Sequence, residues 1–214
     1  MKHILCFGDS NTFGWDPDGL TRFDKKTRWS GLITDLLGSD YQVIEEGLGG
    51  RTTVFNDPDA CGKNGKEYLY PCVQSHQPLD LVIIMLGKND MKAVYSPTAQ
   101  GIGNGLEELI KLLKTPETWD TLIPPEVLVV SPVHIGDHLL ESPFKEMFGG
   151  EKGIALSKEL AEVFHQLANK YNCAFLNAAQ YAEPSDTDAI HMNQENHKRL
   201  AAAIYDKIRS IDHF

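Results

Sequence analysis

The chain has few cysteines, no long apolar run and no dense basic stretch, and each shortage excludes something. Four cysteines among 214 residues are too few for a disulfide scaffold of this size. Cys6 and Cys173 fall in or beside expected core strands, where a thiol packs as a small hydrophobe. Cys61 and Cys72 share one loop and are expected to stay reduced. The longest apolar run, residues 81–86, is far short of the ~20 residues that span a bilayer. The apolar run at residues 4–7 stops at Gly8 and Asp9, so it reads as a strand and not as a secretory leader. The expected location is the cytoplasm. Lysine and arginine number 20 against 30 acidic residues, for a net charge of −10. A phosphate-binding face needs clustered cations, so a nucleic-acid partner is not expected. The densest basic spot, Lys25 and Lys26 with Arg22 and Arg28 nearby, reads as a solvated loop.

What is present is an alternation of strands and helices. Residues 3–7, 42–46, 79–86, 127–131 and 174–177 are short and rich in Val, Ile and Leu, as strands covered on both faces are. Between and after them, apolar residues recur at helical spacing over residues 28–37, 102–114, 154–171 and 194–211. This order predicts an α/β fold: a five-stranded, mostly parallel sheet with helices on both faces, in one domain over residues 1–214. Ligands of such sheets bind beyond the carboxyl ends of the strands. Three long connections, residues 54–78, 91–101 and 132–152, read as functional walls or interface elements.

Four segments carry groups suited to acyl transfer, and three of them follow the end of an expected strand. Ser10, in CFGDSNTFG, is placed to act as a nucleophile where a strand turns into a helix. It could equally cap that helix, since Asp-Ser-Asn-Thr is good N-cap chemistry. His191 follows Asp188 by three residues, a spacing that lets the carboxylate orient the imidazole as a general base. Taken alone, the pair could be a turn residue and a polar group at a helix start. Gly47 in EEGLGG and Asn89 in GKND could join the Ser10 amide as donors to an oxyanion. Separately, they could be a flexible loop and a turn. The other histidines are weaker bases: His165 and His197 sit in helical patterns, and His3, His76 and His213 lack an acidic partner at useful spacing. His134 and His138 are interrupted by Gly136, so no helix presents them jointly to a metal.

CFGDS, Gly47, GKND and DAIH, taken in order, resemble the conserved blocks of the SGNH (GDSL-type) hydrolase family. VIEEGLGGRTT, LDLVIIMLGKND and VLVVSP are similar to the small bacterial arylesterases and acyltransferases within it. The resemblance implies a flavodoxin-like three-layer α/β/α sandwich. It implies Ser10 as nucleophile, His191 as general base and acid, and Asp188 as its orienter. It also implies Ser10, Gly47 and Asn89 as oxyanion donors, with no metal or organic cofactor. Lys88 departs from the small or neutral residue common in its block and is expected at the pocket rim, with Asp9 and Trp15 also lining the pocket. Glu46 stands where many relatives have Asn, but the arylesterase-like members share it.

The expected partner is a small ester. Phe13, Trp15 and Phe55 are bulky enough to favour a short acyl group, and an acetylated sugar or transfer to another acceptor is compatible with the same site. A metal-dependent phosphoesterase would need an Asp-x-His on the first strand, which is absent. A non-catalytic binding module would not need every reactive position filled. Phe55, Tyr68, Leu69, Tyr70, Leu139, Leu140, Phe144, Met147 and Phe148 load the long loops with apolar surface, which predicts a homo-oligomer.

Overall fold

The computed structural model describes residues 1–211, so His213 lies outside the described residues. Strand β1 (Lys2–Gly8) leads into a one-turn helix, α1 (Ser10–Phe13), and a small antiparallel ribbon pairs Trp15–Asp16 with Thr21–Arg22. Helix α2 (Trp29–Leu37) follows, then β2 (Tyr41–Gly47), α3 (Gly65–His76), β3 (Leu81–Met85) and α4 (Ala99–Lys114). The remainder is β4 (Glu126–Ser131), α5 (Lys145–Phe148), α6 (Glu151–Lys170), β5 (Ala174–Asn177) and α7 (Gln194–Arg209). The five long strands form one parallel sheet in the order β2-β1-β3-β4-β5. This is the doubly wound order that carries a ligand site beyond its strand ends.

Strand alternation divides the core in two. Leu5, Phe7, Val82, Ile84, Val127 and Val129 point to one face, where α3, α4 and α6 supply Leu69, Leu106 and Phe164. Ile4, Cys6, Ile83, Leu128 and Val130 point to the other, where α2 and α7 supply Trp29, Ile33, Leu200, Ile204 and Ile208. Each fully buried large side chain contributes about 1.5–3 kcal/mol. β3 is buried at every residue because helices cover both its faces, which explains its unbroken apolar sequence.

The main departure from the sequence reading is α3, which lies inside the supposed connection 54–78. Asn64 caps it by accepting from the Lys66 and Glu67 amides, but Pro71 interrupts it and its apolar stripe is weak. Much of the apolar loop surface is also internal. Leu69, Leu139 and Phe148 are buried, and Phe55 stacks on Tyr95, leaving Tyr68, Tyr70, Leu140 and Met147 exposed. The basic spot divides too: Lys25 and Lys26 are exposed, but Arg28 makes a bidentate pair with Glu45 at 2.6 and 2.8 Å. Cys61 and Cys72 are both free thiols. Among the described residues, no helix is long and apolar enough to cross a membrane.

Candidate active site

Ser10 begins α1 just past the end of β1, but it does not cap that helix. Asp9 does, its Oδ1 accepting from the Asn11 amide at 2.9 Å. The Ser10 hydroxyl is therefore available to a different partner, and His191 Nε2 lies 2.9 Å from it. A carboxylate can only accept, so His191 Nδ1 donates to Asp188 Oδ2 at 2.6 Å and Nε2 accepts from the hydroxyl. Such a chain can remove the hydroxyl proton and hold the imidazolium that forms.

The tight turn before α7 makes this geometry. Ala189 adopts a φ of 64°, a left-handed conformation that costs a non-glycine residue roughly 1–2 kcal/mol. That bend lets the other Asp188 oxygen accept from the amides of Ile190 (2.9 Å) and His191 (2.8 Å). Burial works to raise the Asp188 carboxyl, but the His191 hydrogen bond and charge and the two amides outweigh it and hold it below its ordinary value. Asp188 therefore stays ionised beside the ring.

Two side chains clamp the peptide groups on either side of His191. Asn11 Oδ1 accepts from the Met192 amide at 2.9 Å, and its Nδ2 donates to the Ile190 carbonyl at 3.3 Å. Lys88 Nζ donates to the Ile190 carbonyl at 3.1 Å and to the His134 carbonyl at 3.2 Å. By its sequence Asn11 has only the look of capping chemistry, yet a carboxamide carries the donor and acceptor that bracing two peptide groups requires.

Lys88 is thus not at the pocket rim, nor does Asp9 line the pocket. Both are 1% exposed. Gly87, at φ 106°, bends the chain after β3, and the lysine that follows runs inward to its two carbonyls. Burial pulls the Lys88 ammonium down to about 8, against the charges of Asp9 and Asp188. Burial also raises the Asp9 carboxyl, opposed by the Asn11 amide and by Lys88, His191 and Arg51.

Gly47 ends β2 beside Gly8, its register partner on β1. A Cβ there would lie 2.1 Å from the Phe13 amide nitrogen, so only glycine lets this strand end approach α1. Asn89 opens a 3-10 turn after β3, and its Nδ2 donates to the Arg51 carbonyl at 3.2 Å. Arg51 in turn donates to the Gly8 carbonyl at 3.0 Å, tying these segments together. Asp90 accepts from the Thr53 amide (2.9 Å) and hydroxyl; burial outweighs both bonds and pushes it up to about 6.

Aromatic rings flank the imidazole. Trp15 and Phe144 have centroids 6.2 and 6.3 Å from that of His191. Phe144 comes from the 132–152 connection, where only its apolar character marked it. Phe13 instead carries the Arg22 guanidinium, 4.4 Å from its centroid. Three other histidines have different duties. His197 is fully buried, accepts from the Trp29 amide at 3.3 Å and is driven to about 3 by burial. His165 stacks on Phe175. His76 does have an acidic partner, Glu46 at 2.9 Å, supplied by β2 and not by its own sequence neighbourhood.

The model of the GDSL-like lipase/acylhydrolase family matches residues 6–199. The chain belongs to this family. A carbohydrate acetylesterase family member from Sinorhizobium meliloti is 37% identical, with a TM-score of 0.92 over 98% of each chain. The aryl esterase of M. smegmatis is 40% identical, with a TM-score of 0.90 over 98% of this chain and 99% of that one. A lipolytic G-D-S-L protein from Veillonella parvula, 14% identical with a TM-score of 0.72, shares the fold. No curated protein matches significantly. As a GDSL-type acylhydrolase with esterase neighbours along its whole length, the protein is a carboxylic ester hydrolase.

Proposed function

We propose that this acylhydrolase cleaves small acyl esters, acetyl esters foremost, through an acyl-serine intermediate. The hydrogen-bonded chain from Asp188 through His191 to Ser10 carries the reading. His191 Nε2 takes the Ser10 proton as Oγ attacks the ester carbonyl. The amides of Ser10 and Gly47 and the Asn89 carboxamide stabilise the oxyanion, each such donor being worth roughly 3–4 kcal/mol in the transition state. His191 then gives the proton to the departing alkoxide, whose bond to the carbonyl carbon breaks. Water repeats the sequence on the acyl-serine and restores Ser10. Asp188 fixes the ring and stabilises the imidazolium without taking the proton.

The preference for short acyl groups rests on Trp15 and Phe144 beside the imidazole. A sugar acetate as physiological ester is favoured by the likeness to the carbohydrate acetylesterase. Transfer of the acyl group to another acceptor uses the same intermediate. The test is turnover of p-nitrophenyl acetate, butyrate and octanoate; octanoate outrunning acetate overturns the short-chain reading.

Two wider elements belong to the proposal. The free thiols fit a reducing cytoplasm. Self-association is supported by Val94 and Met147, 63% and 46% exposed on elements that touch each other. A light-scattering mass near that of one 23.9 kDa chain overturns it.

A further inference from the structure

We propose that Glu46, Cys72 and His76 bind a borderline divalent metal ion, such as Zn2+ or Co2+, at a site separate from the Ser10–His191 pair. Cys72 and His76 lie four residues apart and so on one side of α3, the helical spacing that presents two ligands together. Glu46, in β2, meets them from the sheet edge. The carboxylate oxygen, the sulfur and the ring nitrogen all lie within 4.8 Å of one another. Tetrahedral zinc, with bonds of about 2.0–2.3 Å, sets its ligand atoms roughly 3.5 Å apart, so small side-chain rotations complete the set.

The surroundings suit an ion. His76 and Glu46 are 31% and 20% exposed at their side chains, which leaves a way in from solvent. Cys72 is 2% exposed, which shields the sulfur from bulk oxidants. Tyr68 donates to the second Glu46 oxygen at 3.1 Å and would fix the carboxylate from outside the ligand set. An arriving ion displaces the thiol proton to solvent and binds the thiolate, the carboxylate and the neutral imidazole. Two negative ligands balance the divalent charge, so the filled site is neutral beside Arg51; water completes the fourth position. A thiolate ligand selects against Mg2+ and Ca2+.

The competing arrangement is a plain His76–Glu46 ion pair beside an inert buried thiol. Titration of the reduced full-length chain with Co2+ separates the two. The site predicts tetrahedral d–d bands with a thiolate-to-cobalt charge-transfer band, saturating at one ion per chain and bleached by Zn2+. Both His76→Gln and Cys72→Ala should lose these bands. His76 is partly exposed, so His76→Gln serves even if Cys72→Ala folds poorly. Absence of the charge-transfer band in the wild-type chain, or its survival in folded His76→Gln, overturns the proposal.

Discussion

Lys88 Nζ lies 3.1 Å from the carbonyl oxygen of Ile190, the residue immediately before His191. A buried ammonium whose hydrogen bonds go to the carbonyls of His134 and Ile190 is costly, and here it braces the peptide that carries the imidazole. Loss of the brace should misplace the ring. Lys88→Met is expected to lower kcat by on the order of 10²-fold with little change in KM, since displacements of about 1 Å have that effect.

The same lysine sets a pH dependence of stability. Its value in the folded chain, about 8, lies below the ordinary 10.5. Folding therefore disfavours the bound proton, and the contribution of Lys88 is most favourable above 10.5 and is lost as pH falls through about 8. Relative to Lys88→Met, the wild-type chain should gain up to about 3 kcal/mol between those limits, read from denaturant midpoints.

Asn11 is expected to matter through the same peptide groups. Asn11→Ala removes a donor and an acceptor from the two peptides flanking His191. The loss should lower stability by about 1–3 kcal/mol and lower kcat, with Tm and kcat measured on one preparation. Wild-type kcat in Asn11→Ala would show that the Asp188 turn and Lys88 position the ring without it.

Asp188 titrates in the opposite sense to a buried, unpaired carboxyl. Held below its ordinary value of 3.8, it contributes stability that is complete above that value and lost as pH falls through the folded value. Asp188→Asn should flatten that part of the acid-unfolding curve. At neutral pH it should reduce kcat by roughly 10³–10⁴-fold, because the amide cannot hold the working tautomer.

Phe144 is the ring to remove in order to widen the site. Phe144→Ala should raise the octanoate-to-acetate ratio of kcat/KM by about tenfold. An unchanged ratio would assign the chain-length limit to Trp15.

Much of the fold and of the site is legible in the sequence. The central strands β1, β3 and β4 are legible because residues such as Val82–Ile84 and Val127–Val130 are buried on both faces, and a doubly buried strand must be apolar throughout, whereas β2 and β5 are half-buried edge strands. Helix α3 is not legible, because Pro71 and sparse apolar positions hide a helix that begins on an Asn64 cap. Ser10, Gly47, Asn89, Asp188 and His191 are marked in the sequence by chemistry and order; Ser10, Gly47 and Asn89 lie at or just past the ends of β1, β2 and β3, and the Asp188 turn meets Ser10 through His191. The roles of Lys88 and His76 escape the sequence for one shared reason. Their partners, His134 and Ile190 for one and Glu46 for the other, lie 30 to 102 residues away, where no local spacing reveals them.

The most direct measurement is turnover of p-nitrophenyl acetate by wild type and Ser10→Ala, with the acetylated residue located by mass spectrometry after rapid acid quench. The account predicts an acetyl group on the Ser10 peptide in wild type, none in Ser10→Ala, and a fall in kcat of at least about 10³-fold. Turnover by folded Ser10→Ala at the wild-type rate, or an acetyl group carried through turnover on another residue, would contradict it.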